Sequence, residues 1–166
     1  MALSADVVFG LTASLTKSID LSSASTPLDY RKKIAFTNGA GLNQALYLFS
    51  DQRTLAASTG EDLDLAGSLV DIYGTTLTFA SIKLMAFYVP AAAGAGISVT
   101  AKATNGFATW AGAAGDAIKV LPGGFAVFAA PGATGYAVTA STGDLLTVTN
   151  LDGAAGVTYD VILMGD

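Results

Sequence analysis

The chain has 166 residues, a net charge of −5, no cysteine and no histidine. The length suits one domain with a real hydrophobic core. The missing residue types exclude a disulfide scaffold, a thiolate zinc site, a cysteine nucleophile and a serine–histidine–aspartate triad, and the acidic balance argues against nucleic acid as a main partner.

Charged residues make up 13% of the chain, where an average soluble domain carries about 25%. A surface this poor in charge is either bland or buried in part against partners, and the second reading is preferred.

The first stretch, MALSADVVFGLTASLTKSIDL, has no basic n-region and carries Asp6, so it does not read as a signal peptide. Residues 1–30 lack the strong turn punctuation of the rest. They read as an N-terminal arm or first strands, with DLSSASTPLDY (20–30) as a hinge, and residues 31–166 as a β-sandwich domain. Arg31, Lys32 and Lys33 are the one basic cluster. Three such residues in a strand form a solvated edge that discourages edge-to-edge pairing, or they meet an acidic partner.

Helical spacing is not sustained anywhere. Short runs of Val, Ile, Phe, Tyr and Thr alternate with Gly, Asn, Asp and Pro, which is the pattern of an all-β chain. YRKKIAF and ALYLF read as two strands joined around Asn38-Gly39, a pair suited to a hairpin turn. Leu63 and Leu65 alternate with Asp62 and Asp64, and Leu77 and Phe79 share one face of the next strand. In SIKLMAFYV both faces are apolar, so this strand is central or at a subunit interface, which makes Met85 and Phe87 candidate interface residues. It holds Lys83, ends at Pro90 and falls short of the ~20 apolar residues of a membrane helix, so no membrane is expected as partner.

Ile97 and Val99 mark a strand, and Asn105-Gly106 marks a turn. Trp110, the one tryptophan, stands beside the loop AGAAGDA; it reads as a core plug or interface anchor, and otherwise as a stacking platform for a sugar or base. Three more strands follow in PGGFAVFAAPGATGYAVTASTGDLLTVTN, and the chain closes with VTYDVILMG. Strands every 8–12 residues give the expected fold class: all-β, an antiparallel β-sandwich or barrel of jelly-roll-like kind, with little or no helix.

Chemistry is sparse. Asp62 and Asp64 would share a strand face and Glu61 would point away; a carboxylate pair for hydrolysis is one reading, and the polar face of an edge strand is the preferred one. No calcium-loop spacing, phosphate loop or basic-aromatic interleaving occurs, so no cofactor, metal or catalytic residue is assigned.

DLDLAGSLVDIYGTTLTFASIK (62–83), PGGFAVFAAPGATGYAVTASTGDLLTVTN (122–150) and GVTYDVILMG (156–165), with FTNGAG and SDQRTLAAS before them, resemble a recurring small structural protein of tailed bacteriophages. The resemblance covers most of the chain after residue 34 and is one of overall texture, without a catalytic motif. It implies a non-enzymatic virion protein: a capsid decoration (cement) protein on the surface of the head, made in the host cytoplasm, binding the major capsid protein as a homo-oligomer, with a trimer as the first expectation. Arg31, Lys32, Lys33, Met85, Phe87 and Trp110 are the candidate interface residues. The alternative role is a head-fibre or tail component that recognises host-surface glycans.

Overall fold

The computed structural model describes residues 2–92 and 94–166. Met1, at the start of the expected arm, and Ala93, in the glycine-alanine stretch after Pro90, lie outside the described residues. The protein is all-β, with no helix among the described residues. In chain order the strands are β1 (Ala5–Ile19), β2 (Ser22–Asn38), β3 (Gln44–Ala45), β4 (Tyr47–Leu55), β5 (Gly60–Asp64), β6 (Ser81–Tyr88), β7 (Ile97–Ala101), β8 (Ala117–Val120), β9 (Phe125–Ala129), β10 (Tyr136–Ala137), β11 (Leu145–Asn150) and β12 (Val157–Gly165).

The body is sandwich-like. One sheet runs β10-β6-β12-β4, with β9 sharing the outer edge of β6; the other runs β5-β11-β7-β8. Neither closes into a barrel, which settles the choice left open by the sequence. Alternation builds the core. Val157, Tyr159, Val161 and Leu163 of β12 point inward with Met85 and Phe87 of β6. They meet Leu63, Ile97, Val99, Leu146 and Val148 of the second sheet in one cluster. Stacked sheets at ~10 Å leave no room for water between such rows, so most of the hydrophobic stabilisation lies here.

β1 and β2 form a separate ribbon. They pair antiparallel in unbroken register from Ala5↔Phe36 to Ile19↔Ser22, turning at Asp20-Leu21. β2 crosses residue 30 without a break, so the arm in the structure is a hairpin reaching to Asn38. Only its base is held. Phe36, half-buried Ile34, Ala5 and Val7 pack with Ala45, Leu84, Ala129 and Met164 in a second, smaller cluster. At about 3.4 Å per residue, the remaining rungs from Phe9↔Lys32 to Ile19↔Ser22 project roughly 37 Å.

Two local expectations fail for identifiable reasons. Asn38-Gly39 does not close a hairpin: β3 returns parallel to β2, with Thr37 opposite Gln44 and Asn38 opposite Ala45. Gly39 and Asn43 both take positive φ (143° and 55°), and the Gln44 side chain accepts from the Gly41 amide, so the loop folds over itself. β4 is thereby freed to pair with β12. Leu77 and Phe79 are buried as expected but lie outside any named strand. Their amides reach the Leu69 and Leu65 carbonyls in the segment just after β5, a loop-to-loop tie rather than a ladder.

One buried charge fastens the first sheet. Lys83 on β6 is fully buried. Its ammonium meets the Asp166 carboxylate at 3.2 Å and donates to the carbonyls of Gly132 (3.1 Å) and Ala133. Asp166 also accepts from the Ser81 hydroxyl at 2.7 Å. The cation thus ties β6, the 131–135 connection and the residue after β12 together. Gly165 is required beside it, because a Cβ there would stand 2.0 Å from the Ser81 carbonyl oxygen.

Candidate functional site

The two outer faces of the sandwich differ in chemistry. On the second sheet, outward positions are polar: Asp62, Ser98, Thr100, Thr147 and Thr149. That is the composition of a face that meets water. On the first sheet, the outward positions of β12, β6 and β9 form two apolar rows. Met164, Leu84 and Ala129 make the inner row, and the arm base covers it. Ile162, Ala86 and Val127 make the next row and lie open, with Ile162 41% and Val127 47% exposed. Tyr88 and Phe125 follow as a cross-strand pair, with Phe125 69% exposed.

The arm presents a second apolar face. Paired residues of a hairpin share a face, so odd positions of β1 set one side and even positions the other. The odd side carries Phe9, Leu11, Leu15 and Ile19 with Leu28 and Tyr30 from β2. All are exposed, Leu15 at 78% and Leu21 at the tip completely. Phe9 and Tyr30 meet edge to face at 6.0 Å, so the face is preordered by its own aromatic pair. The even side holds Thr12, Ser14, Ser18, Ser23 and Ser25, a Ser14–Ser25 hydrogen bond and an Asp6–Lys33 ion pair at 2.8 Å. The arm is an amphipathic ribbon with water on both sides.

The basic cluster divides between these faces. Lys32 stands on the apolar side, 5.5 Å from the Tyr30 ring centroid, while Arg31 and Lys33 stand on the polar side. Lys33 is occupied by Asp6. Met85 and Phe87 belong to the core of their own sandwich, 0% and 1% exposed, and present nothing to a partner; the alternate positions Ala86 and Tyr88 do. Trp110 is half-buried, packs edge to face on Phe128 at 5.2 Å, and donates its indole N–H to the Phe107 carbonyl at 2.8 Å. It packs against the edge of the main core, with its one polar atom already used.

The acidic cluster splits as strand alternation requires. Glu61 turns inward to bridge the two sheets: Arg53 of β4 donates to it through Nε at 2.8 Å, and the buried Tyr159 hydroxyl donates at 2.8 Å. Burial acts to raise the Glu61 pKa, but the hydrogen bonds from Arg53 and Tyr159 outweigh it and hold the carboxyl below its ordinary value. Burial first, and then the Glu61 contact, push the Tyr159 phenol far above the usual tyrosine range. Asp62 faces outward, where hydrogen bonds from Lys102 and then Thr147 lower its pKa. Asp64 accepts from the Ala66 amide at 2.9 Å and shapes the following turn. Each carboxylate has a structural partner, and Asp62 and Asp64 are not presented together to an open cleft.

A groove of about 550 Å³ opens beside the arm base. Leu3, Leu46, Leu48, Ile72 and Tyr73 line it, and the Asp71 side chain holds the 71–75 loop by accepting from the Tyr73 and Thr75 amides. Among the described residues, no group of three or more acidic side chains is placed to hold a metal ion. Compared with protein-family models, curated proteins and solved structures, the chain matches none of them.

Proposed function

We propose that this protein is a structural component of a tailed-phage particle, a decoration protein that binds the major capsid protein as an oligomer and adds to the stability of the head. One observation carries the reading: most of the exposed large apolar residues fall on two extended surfaces, the arm and the outer face of the first sheet, while Glu61 and Asp62 are taken up by partners within the chain. Flat apolar faces suit seams between subunits, where area and shape complementarity supply affinity. The resemblance of residues 62–83, 122–150 and 156–165 to small phage structural proteins supplies the particle. The mechanism is mass action: contacts made only with the assembled shell stabilise it against heat and internal pressure.

The test is heat or osmotic challenge of heads with and without the protein. Heads lacking it should release their genome at lower temperature, and adding back the purified protein should restore tolerance. Equal tolerance of both kinds of head would remove the reading.

A further inference from the structure

We propose that the arm of one copy lies with its apolar face on the open outer face of the first sheet of a second copy, a head-to-tail contact that repeats from chain to chain. The inference deepens the oligomer part of the proposed function and needs no phage particle, so the two can fail separately.

Four observations converge. First, the same packing already exists within the chain: the base of the arm's apolar face, through Val7, Ile34 and Phe36, sits with Leu84, Met164 and Ala129, the inner outward row of that sheet. The next row, Ile162, Ala86 and Val127, continues that surface one step along the strands and has no cover. The distal half of the arm has the matching face and no cover either. Neither can satisfy the other within one chain, because the arm runs off the body: beyond its base β1 pairs with β2 alone.

Second, charge is complementary. Residues 1–38 carry four Lys and Arg against three Asp, a net +1, while the rest carries four against ten, a net −6. Lys17 and Lys32 lie on the arm's apolar side. The receiving face offers Asp160 beside Tyr88 and holds no cation in its outward rows.

Third, the dimensions fit. From Phe9 to Ile19 the ribbon covers about 37 by 10 Å, a footprint of roughly 370 Å² per side. One such contact falls short of the ~1,200 Å² typical of stable interfaces. A ring in which every chain donates one arm and receives another doubles what each chain covers, so closure is favoured over an isolated pair.

Fourth, a lone two-stranded ribbon is marginal in water, and one this long with six exposed large apolar side chains on one side gains its order from a surface to lie on.

The experiment uses the full chain with Leu11→Asp on the arm and Ile162→Asp on the sheet, both at exposed positions. Solution mass is read by light scattering and sedimentation. The wild type should form multiples of 16.6 kDa, and each variant alone should fall to a single chain with an unchanged near-ultraviolet spectrum. In an equimolar mixture association should go no further than two chains, because only one intact arm and one intact face remain between unlike copies and no ring can close. If Ile162→Asp loses its native spectrum, Val127→Asp replaces it. In the cysteine-free chain, Leu11→Cys and Ile162→Cys proteins mixed under oxidation should form a mixed disulfide. A wild type that stays monomeric, a Leu11→Asp protein that keeps its mass, or cross-links only between Leu11→Cys chains would each overturn the proposal, the last in favour of arm-to-arm pairing.

Discussion

Asp166→Ala isolates the buried lysine. In the native structure Lys83 is fully buried and its ammonium has three partners: the Asp166 carboxylate and the carbonyls of Gly132 and Ala133. Removing the carboxylate leaves a buried cation facing two dipoles. Breaking a buried ion pair costs about 3–5 kcal/mol, and the retained carbonyls place this case near the lower end, about 3 kcal/mol. For a domain of this size each kcal/mol lowers the midpoint by roughly 2–4 °C, so the variant should melt about 6–12 °C below wild type. The double variant Lys83→Met/Asp166→Ala removes the charge together with its partner. Its loss should be smaller than that of Asp166→Ala alone, because no uncompensated ion remains. Calorimetry of the three proteins at neutral pH decides. An Asp166→Ala protein with an unchanged midpoint, or a double variant that loses as much as Asp166→Ala or more, would refute the clasp.

Other outcomes follow from the same structure. The folded-state pKa of Glu61 lies below its ordinary 4.5, so its contribution to stability is complete above pH 4.5 and drains away as the pH falls through the folded value; Glu61→Gln should flatten the acid limb of a stability–pH curve, and an unchanged slope would contradict the Arg53–Glu61–Tyr159 bridge. The phenol of Tyr159 is raised, so its neutral form is favoured, and its stability is present below pH 10 and lost above it; in an ultraviolet titration one of the six tyrosines should stay un-ionised until the protein unfolds. Trp110→Ala should cost about 2 kcal/mol, less than the ~3–5 of a fully buried aromatic, and Trp110→Phe much less, as read by denaturant midpoints. In hydrogen exchange, amides from Phe9 to Tyr30 should exchange fast in dilute protein and slow on assembly, while β12 amides stay protected throughout.

Much of the body is written in the sequence as period-two alternation. VTYDVILMG buries Val157, Tyr159, Val161 and Leu163 together, and the two-faced apolar run SIKLMAFY is a central strand, flanked by β12 on one side and by β9 and β10 on the other, with Leu84 of its outer face covered by the arm base. The arm was harder to see. Val7, Phe9, Leu11, Ala13 and Leu15 do alternate with small and polar residues, but Val8 and the glycine at 10 break the rhythm, and a ribbon flanked by water on both sides lacks the strong apolar runs that mark a core strand. The Lys83 clasp left no local signal at all, since its partners lie about 50 and 83 positions away in the chain. Met85 and Phe87 carry the opposite lesson: their strand was legible, but which of its two faces meets the second sheet depends on long-range register with β12, and the register turns Ala86 and Tyr88 outward.

The most direct measurement of the central claim is the copy number of this protein in purified particles, relative to the major capsid protein, by quantitative mass spectrometry. A lattice-wide decoration protein predicts a ratio near one copy per capsid subunit. A ratio of a few per cent would contradict it in favour of a vertex, fibre or tail position, and absence from the particle would end the virion reading.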